Sequence, residues 1–188
     1  PVIAVPTTAG TGSETTIAAV VKDMATHEKY AIMDAKLRPR YAVLDPELTV
    51  GLPPNITAAT GMDALIHAIE AYIGRGNTKY TTQCSLKAVR LVYQYLERAY
   101  QNGGDIEARE QMLIASNHAG NAFTRAYVGY IHAIAHNFGG IYNTPHGLAN
   151  AIILPYVLEY YGDTVHKQLA ELADAAGVGT AGGTDAEK

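Results

Sequence analysis

Two stretches of the chain carry side chains whose types and spacing can do chemistry. Residues 61–72 read G-M-D-A-L-I-H-A-I-E-A-Y. Asp63 and His67 stand four residues apart, so on a helix one sits above the other on the same face. Ala64, Leu65, Ile66, Ala68 and Ile69 surround them and call for burial. A carboxylate in such surroundings needs a partner, because burying an isolated charge is strongly unfavourable. A metal ion is one such partner; taken alone, the stretch also reads as a surface Asp–His pair.

Residues 128–150 read V-G-Y-I-H-A-I-A-H-N-F-G-G-I-Y-N-T-P-H-G-L-A-N and hold His132, His136 and His146, three of the chain's seven histidines. A single buried histidine is usually a satisfied core residue. Three beside glycines that let backbone approach closely point to a site. His132 and His136 share a helix face, while His146 follows a glycine turn between Pro145 and Gly147. The spacing H-A-I-A-H resembles the H-E-x-x-H helix of zinc peptidases, but Ala133 occupies the position of the required general base, so that reading fails. Together the stretches offer one carboxylate and up to three imidazoles. Oxygen and nitrogen donors without thiolate suit Fe(II), Zn(II), Mn(II) or Ni(II), and a finger-type structural zinc is not expected.

The elements that must position these groups follow from the patterning. Val2–Val5, Tyr30–Met33 and Tyr41–Leu44 read as strands, rich in Val, Ile and Tyr and bounded by Pro, Gly and Asp. Between the first two lies P-T-T-A-G-T-G-S-E, readable either as a turn leading into a helix or as hydroxyls and small residues at a helix start that contact phosphate or ribose. After Pro53-Pro54 the pattern turns helical. Thr60 and Asp63 match a capping box opening a helix to about Tyr72. Further helices are expected over Lys79–Tyr100, Asp105–Phe123 and Val128–Phe138, the last stopped by Gly139-Gly140. Segments near Leu148–Tyr161 and Asp163–Ala176 complete the set, and residues from Gly177 onward have no apolar period. The architecture is a small α/β portion followed by a helical domain.

Composition bounds the function class. Among 188 residues, 48% are hydrophobic and 17% charged, an ordinary globular balance rather than a disordered one. Net charge is −4 and no Lys/Arg cluster stands out, so no nucleic-acid partner is expected. No run reaches the roughly 20 apolar residues of a membrane span, and no membrane partner is expected. The single cysteine, Cys84, excludes an internal disulfide and fits a reducing, cytoplasmic compartment. The first residues lack a signal peptide's basic and apolar regions, and the chain opens without Met on a strand-like run. It reads as a fragment.

The two histidine-bearing stretches closely resemble the signature segments of the iron-containing (group III) alcohol dehydrogenases. P-T-T-A-G-T-G-S-E and D-P-E-L-T-x-x-L-P-P also match that family, in its order and at its spacing, and the likeness covers nearly the whole chain. It implies a mainly α fold, the helical metal-binding domain of the dehydroquinate synthase-like, iron alcohol dehydrogenase type, preceded by short strands of a nucleotide-binding domain. The implied division is residues 1–50, a nucleotide-binding remnant with the cofactor loop, and 51–188, the metal-binding domain. By resemblance, Asp63, His67, His132 and His146 hold Fe(II), with Zn, Ni or Mn able to substitute. His136, which spacing alone would make a ligand with His132, is instead implied to line the cleft near the nicotinamide and handle protons. Thr7, Thr8, Thr11 and Thr16 are implied to lie beside NAD or NADP, and Lys29 to reach the cofactor. Tyr142 and Asn143 either shape the substrate pocket or simply pack.

The implied reaction is hydride transfer between a small alcohol or aldehyde and NAD(P), with the metal as Lewis acid, in a homo-oligomer. The family's G-G-G-S phosphate turn and ribose-reading acid are missing from this sequence. That departure keeps a second reading open, a metal-binding helical unit without dehydrogenase turnover of its own. A metal-free interaction module is poorly supported by four polar ligands on apolar helices. A metal hydrolase would have only Glu70 as a nearby base.

Overall fold

The computed structural model describes residues 2–188. Four short strands come first: β1 (Ile3–Ala4), β2 (Ala18–Lys22), β3 (Lys29–Met33) and β4 (Tyr41–Ala42). Six helices follow: α1 (Pro54–Ile73), α2 (Lys79–Gln101), α3 (Ile106–Ala126), α4 (Tyr130–Ile141), α5 (His146–Tyr161) and α6 (His166–Ala176). Helix takes up 61% of the chain and strand 7%, so the fold is mainly α. β1 and β4 pair in parallel, Ile3 opposite Tyr41. β2 and β3 form an antiparallel hairpin running from Ala18 opposite Met33 to Lys22 opposite Lys29.

The core sits where α1, α2 and α3 pack together. Ala64, Leu65, Ile66, Ala68, Ile69, Ala71 and Tyr72 of α1 are all buried, so the second half of this helix is enclosed on every side. Its chemistry-bearing residues are therefore interior residues. α2 opens on a capping box between Thr78 and Thr81. α3 opens on Asp105, whose side chain accepts from the Ala108 amide. A second core joins Ile66 of α1 to Ile131 and Ala135 of α4 and to Ala149, Ile153 and Val157 of α5. That packing brings the two histidine-bearing stretches together.

Four expectations are corrected. Thr60 is not an N-cap: α1 starts at Pro54, where a missing N–H costs nothing and φ is preset, and the Thr60 hydroxyl bonds back to the carbonyl of Ile56. The Thr-rich loop opens no helix. It turns at Thr15, whose N–H and hydroxyl both reach the Gly12 carbonyl, and runs into β2, a strand the patterning missed. Gly12 has φ +58, and a Cβ there would lie 2.8 Å from Gly120 Cα, so only glycine lets the loop lie flat on α3. Gly139 and Gly140 lie inside α4 rather than ending it, because β3 and the turn before it press on that helix. Strand pairing is also shorter than read at both β1 and β4, with two residues paired in each.

Candidate metal centre

α1 delivers Asp63 and His67, α4 delivers His132 and His136, and the first residue of α5 is His146. Asp63 Oδ1 lies 3.4 Å from His132 Nε2 and 3.5 Å from His146 Nε2. Ligand atoms of these three residues all fall within 4.8 Å of one another. Donors about 2.0–2.2 Å from a shared tetrahedral cation stand about 3.4 Å apart, so the spacing fits a first-row divalent metal. His67 stands at the edge of this group, with Nδ1 4.0 Å from Asp63 Oδ2 and its ring stacked 4.4 Å from that of His132. The buried His67 Nδ1 has no hydrogen-bond partner among the described residues. His136 meets His146 edge-on at 5.1 Å.

Burial and mutual proximity shift the carboxylate and the imidazoles of this group in different directions. Burial alone would raise the Asp63 carboxyl, but His67, His132 and His146 outweigh it and hold it well below the usual carboxylate range. Burial works against a charged His132, yet Asp63 and Glu70 on its two nitrogens raise it to about 9. His67 and His136 go the other way, each pushed down to about 4, first by burial and then by neighbouring imidazoles. His146 is lowered too, chiefly by burial.

Two buried residues complete the surroundings, and sequence reasoning gave neither this place. Asn150 Nδ2 donates to Asp63 Oδ1 at 2.8 Å and lies 3.1 Å from His132 Nε2 and 3.3 Å from His146 Nε2. Its only sequence signal is its place one helical turn after His146. Glu70 accepts from the Ile131 amide at 2.8 Å through Oε1, and its Oε2 lies 2.5 Å from His132 Nδ1. Both carboxylate oxygens are engaged, so the hydrolase reading loses its only base.

Above the group opens a cavity of about 640 Å³. Asp63, His67, His132, His136 and His146 line it, together with Thr11, Thr16 and residues of β2 and β3. Phe123, stacked 4.3 Å from His67, and Tyr127, a non-glycine residue at φ 66, line it as well. Strain of that kind clusters at functional sites. Thr7 and Thr8 lie outside the lining. Lys29 lies outside it too; its Nζ rests against Gly139 of α4 and faces His136 and His146. Tyr142 is largely exposed, and neither it nor Asn143, at φ 54, lines the cavity.

This fold and this site define a class. Residues 57–188 match the C-terminal model of the Fe-containing alcohol dehydrogenase family, and residues 1–46 match the iron-containing alcohol dehydrogenase model. The chain belongs to the iron-containing alcohol dehydrogenase family. It is 44% identical to an NAD-dependent methanol dehydrogenase of Bacillus methanolicus over 97% of this chain and 48% of the relative. It is 43% identical to a 1,3-propanediol dehydrogenase of Citrobacter freundii over 97% and 47%. A crystal structure of a 1,3-propanediol oxidoreductase superposes with a TM-score of 0.94 at 41% identity, covering 99% of this chain and 49% of that one. The chain thus spans about half the length of the curated relatives it matches.

Proposed function

We propose that this chain is the metal-binding part of an NAD(P)-dependent alcohol dehydrogenase. The observation that carries the reading is the convergence of Asp63 Oδ1 with His132 Nε2 and His146 Nε2 at 3.4 and 3.5 Å, on the floor of a cavity that the Thr-rich loop and the β2–β3 hairpin share. Asp63, His132 and His146 would hold one divalent ion, with His67 as fourth ligand; Fe(II) is the family's metal, and Zn, Ni and Mn have the same donor preference. Residues 1–50 would belong to the nucleotide-binding domain and 51–188 to the helical one.

The bound groups supply Lewis acidity toward the alcohol oxygen and a nicotinamide hydride acceptor. Alcohol and NAD(P)+ become aldehyde or ketone, NAD(P)H and a proton. The residues of the chain arrange that exchange. Asp63 is the single anion among the four ligands, so the site keeps net positive charge where the alcohol oxygen must ionise. His136 lines the cavity beside His146, where it would take the hydroxyl proton and pass it to solvent. Thr11 and Thr16, which line the same cavity, would orient the cofactor, with Thr7, Thr8 and Lys29 contacting its outer parts. Phe123, stacked on His67, gives the substrate an apolar wall beside the metal ligands. A cytoplasmic homo-oligomer without nucleic-acid or membrane partners completes the reading; no helix among the described residues is long and apolar enough to cross a membrane.

The test is metal titration of the chain, stripped of metal, with Fe(II), Zn(II), Mn(II) and Ni(II). One ion per chain is expected. His132→Ala, His146→Ala and Asp63→Ala should abolish binding, and His136→Ala should retain it. Absence of binding, or a His136→Ala loss as complete as that of His132→Ala, overturns the assignment. The position of Thr7, Thr8 and Lys29 outside the cavity lining favours one alternative, a unit that binds metal but does not turn over alcohol, and a cofactor assay separates the two.

A further inference from the structure

We propose that Glu70 is the positioning residue of this centre: it fixes which nitrogen of His132 faces the metal and anchors the start of α4. The inference rests on the metal reading above and concerns a residue that reading does not use. Asp63 and Glu70 lie seven residues apart on α1, two turns along one face. Each addresses a different nitrogen of the same ring, Asp63 Oδ1 at 3.4 Å from Nε2 and Glu70 Oε2 at 2.5 Å from Nδ1. A neutral imidazole carries one proton. Glu70 is 2% exposed, and with Oε1 taken by the Ile131 amide its Oε2 accepts from Nδ1, which holds that proton there and leaves the Nε2 lone pair on the side of Asp63 and His146.

The second oxygen is committed as well. α4 begins at Gly129 without any side-chain cap of its own, and Glu70 Oε1 takes the Ile131 amide at 2.8 Å. One carboxylate from a neighbouring helix therefore serves as the cap of α4 and orients the ligand that α4 carries. Burial opposes its ionisation, but the His132 bond and the amides of Gly129 and Ile131 lower the Glu70 carboxyl, consistent with an acceptor at both oxygens.

Glu70→Gln separates this role from mere packing. The carboxamide has nearly the same shape but only one acceptor oxygen. If that oxygen keeps the Ile131 amide, the –NH2 group faces Nδ1 and selects the tautomer with its proton on Nε2, which cannot ligate. The experiment compares the chain with Glu70→Gln by chelator-competition titration with Zn(II) and by 15N NMR of the His132 ring in the metal-free chain, at a pH where that ring is neutral. Expected are a Zn(II) affinity about 10–100-fold weaker in the variant, and a ring proton on Nδ1 in the parent that moves to Nε2 in the variant. A variant with unchanged Zn(II) affinity and an unmoved ring proton overturns the proposal, even where its melting temperature falls. Should the variant not fold, the parent decides alone, since a ring proton already on Nε2 overturns the proposal. Should the parent bind no Zn(II), the metal reading fails, and the ring proton still decides the role of Glu70.

Discussion

Glu14 enters the interior with only half of its carboxylate satisfied. Oε1 accepts from Asn117 Nδ2 at 3.1 Å, whereas the buried Oε2 has no partner among the described residues. Burial pushes the Glu14 carboxyl up, and the bonds it does make only partly offset this. An acid whose folded pKa is raised stabilises the fold fully below its unfolded value, and that contribution is lost as pH rises through the folded pKa. Glu14→Gln should therefore raise stability at neutral pH by about 1 kcal/mol and give no gain below the unperturbed pKa of 4.5. Thermal melts of both proteins at pH 4 and pH 7.5 check this, and equal melting temperatures at the higher pH would refute it. At this scale the candidate donors were legible, because Asp63, His132 and His146 stand out as polar residues on apolar stretches. Glu70 and Asn150 were not, because their roles depend on which helices meet, and no local spacing encodes that meeting.

Helices were legible from apolar period, and α2 ends where Asn102-Gly103-Gly104 breaks that period. The β2–β3 hairpin was only half legible: β3 has the Tyr and Ile of a strand, whereas A-A-V-V-K of β2 follows a small-residue turn that reads equally as a helix start and shows no polar–apolar alternation. What holds the hairpin in place is a close approach to α4. A Cβ on Gly140 would lie 2.6 Å from the carbonyl oxygen of His27, which itself sits at φ 61 in the turn before β3. Most of the hairpin's apolar side chains, Val20, Val21, Tyr30 and Ile32 among them, are exposed, so it has little other support. Gly140→Ala should lift it from α4 at a cost of about 1–3 kcal/mol, as overpacked contacts do. Hydrogen exchange reads this directly: amides of the Val20–Ala31 ladder should exchange faster while those of α2 and α3 keep their protection. Unchanged protection of the ladder would show that the hairpin is held elsewhere.

Across the whole molecule, the distribution of apolar surface sets its behaviour in solution. The β1–β4 pair has two strands only and exposes Val2, Ile3, Tyr41 and Val43, while the outer face of α4 and α5 exposes Tyr130, Phe138, Ile152, Tyr156 and Tyr160. Monomeric proteins rarely leave such patches uncovered, and patches of this kind drive self-association. The chain should therefore elute with a mass that is a multiple of its 20.1 kDa and bind a hydrophobic dye, as light scattering coupled to gel filtration can measure. Cofactor affinity follows from the same accounting of surfaces. Within these 188 residues, the groups proposed to hold a dinucleotide are the Thr-rich loop, Lys29 and His136. Charge-assisted hydrogen bonds contribute about 1.5–3 kcal/mol each, and each 1.4 kcal/mol is about tenfold in affinity, so lacking several weakens binding by orders of magnitude. Titration of the monodisperse chain with NAD and NADP, coupled to steady-state assay with short alcohols, should give retained metal, millimolar or weaker cofactor binding and little turnover. Micromolar affinity with ordinary turnover would show instead that the loop, Lys29 and His136 suffice to hold the nicotinamide over the Asp63–His132–His146 group.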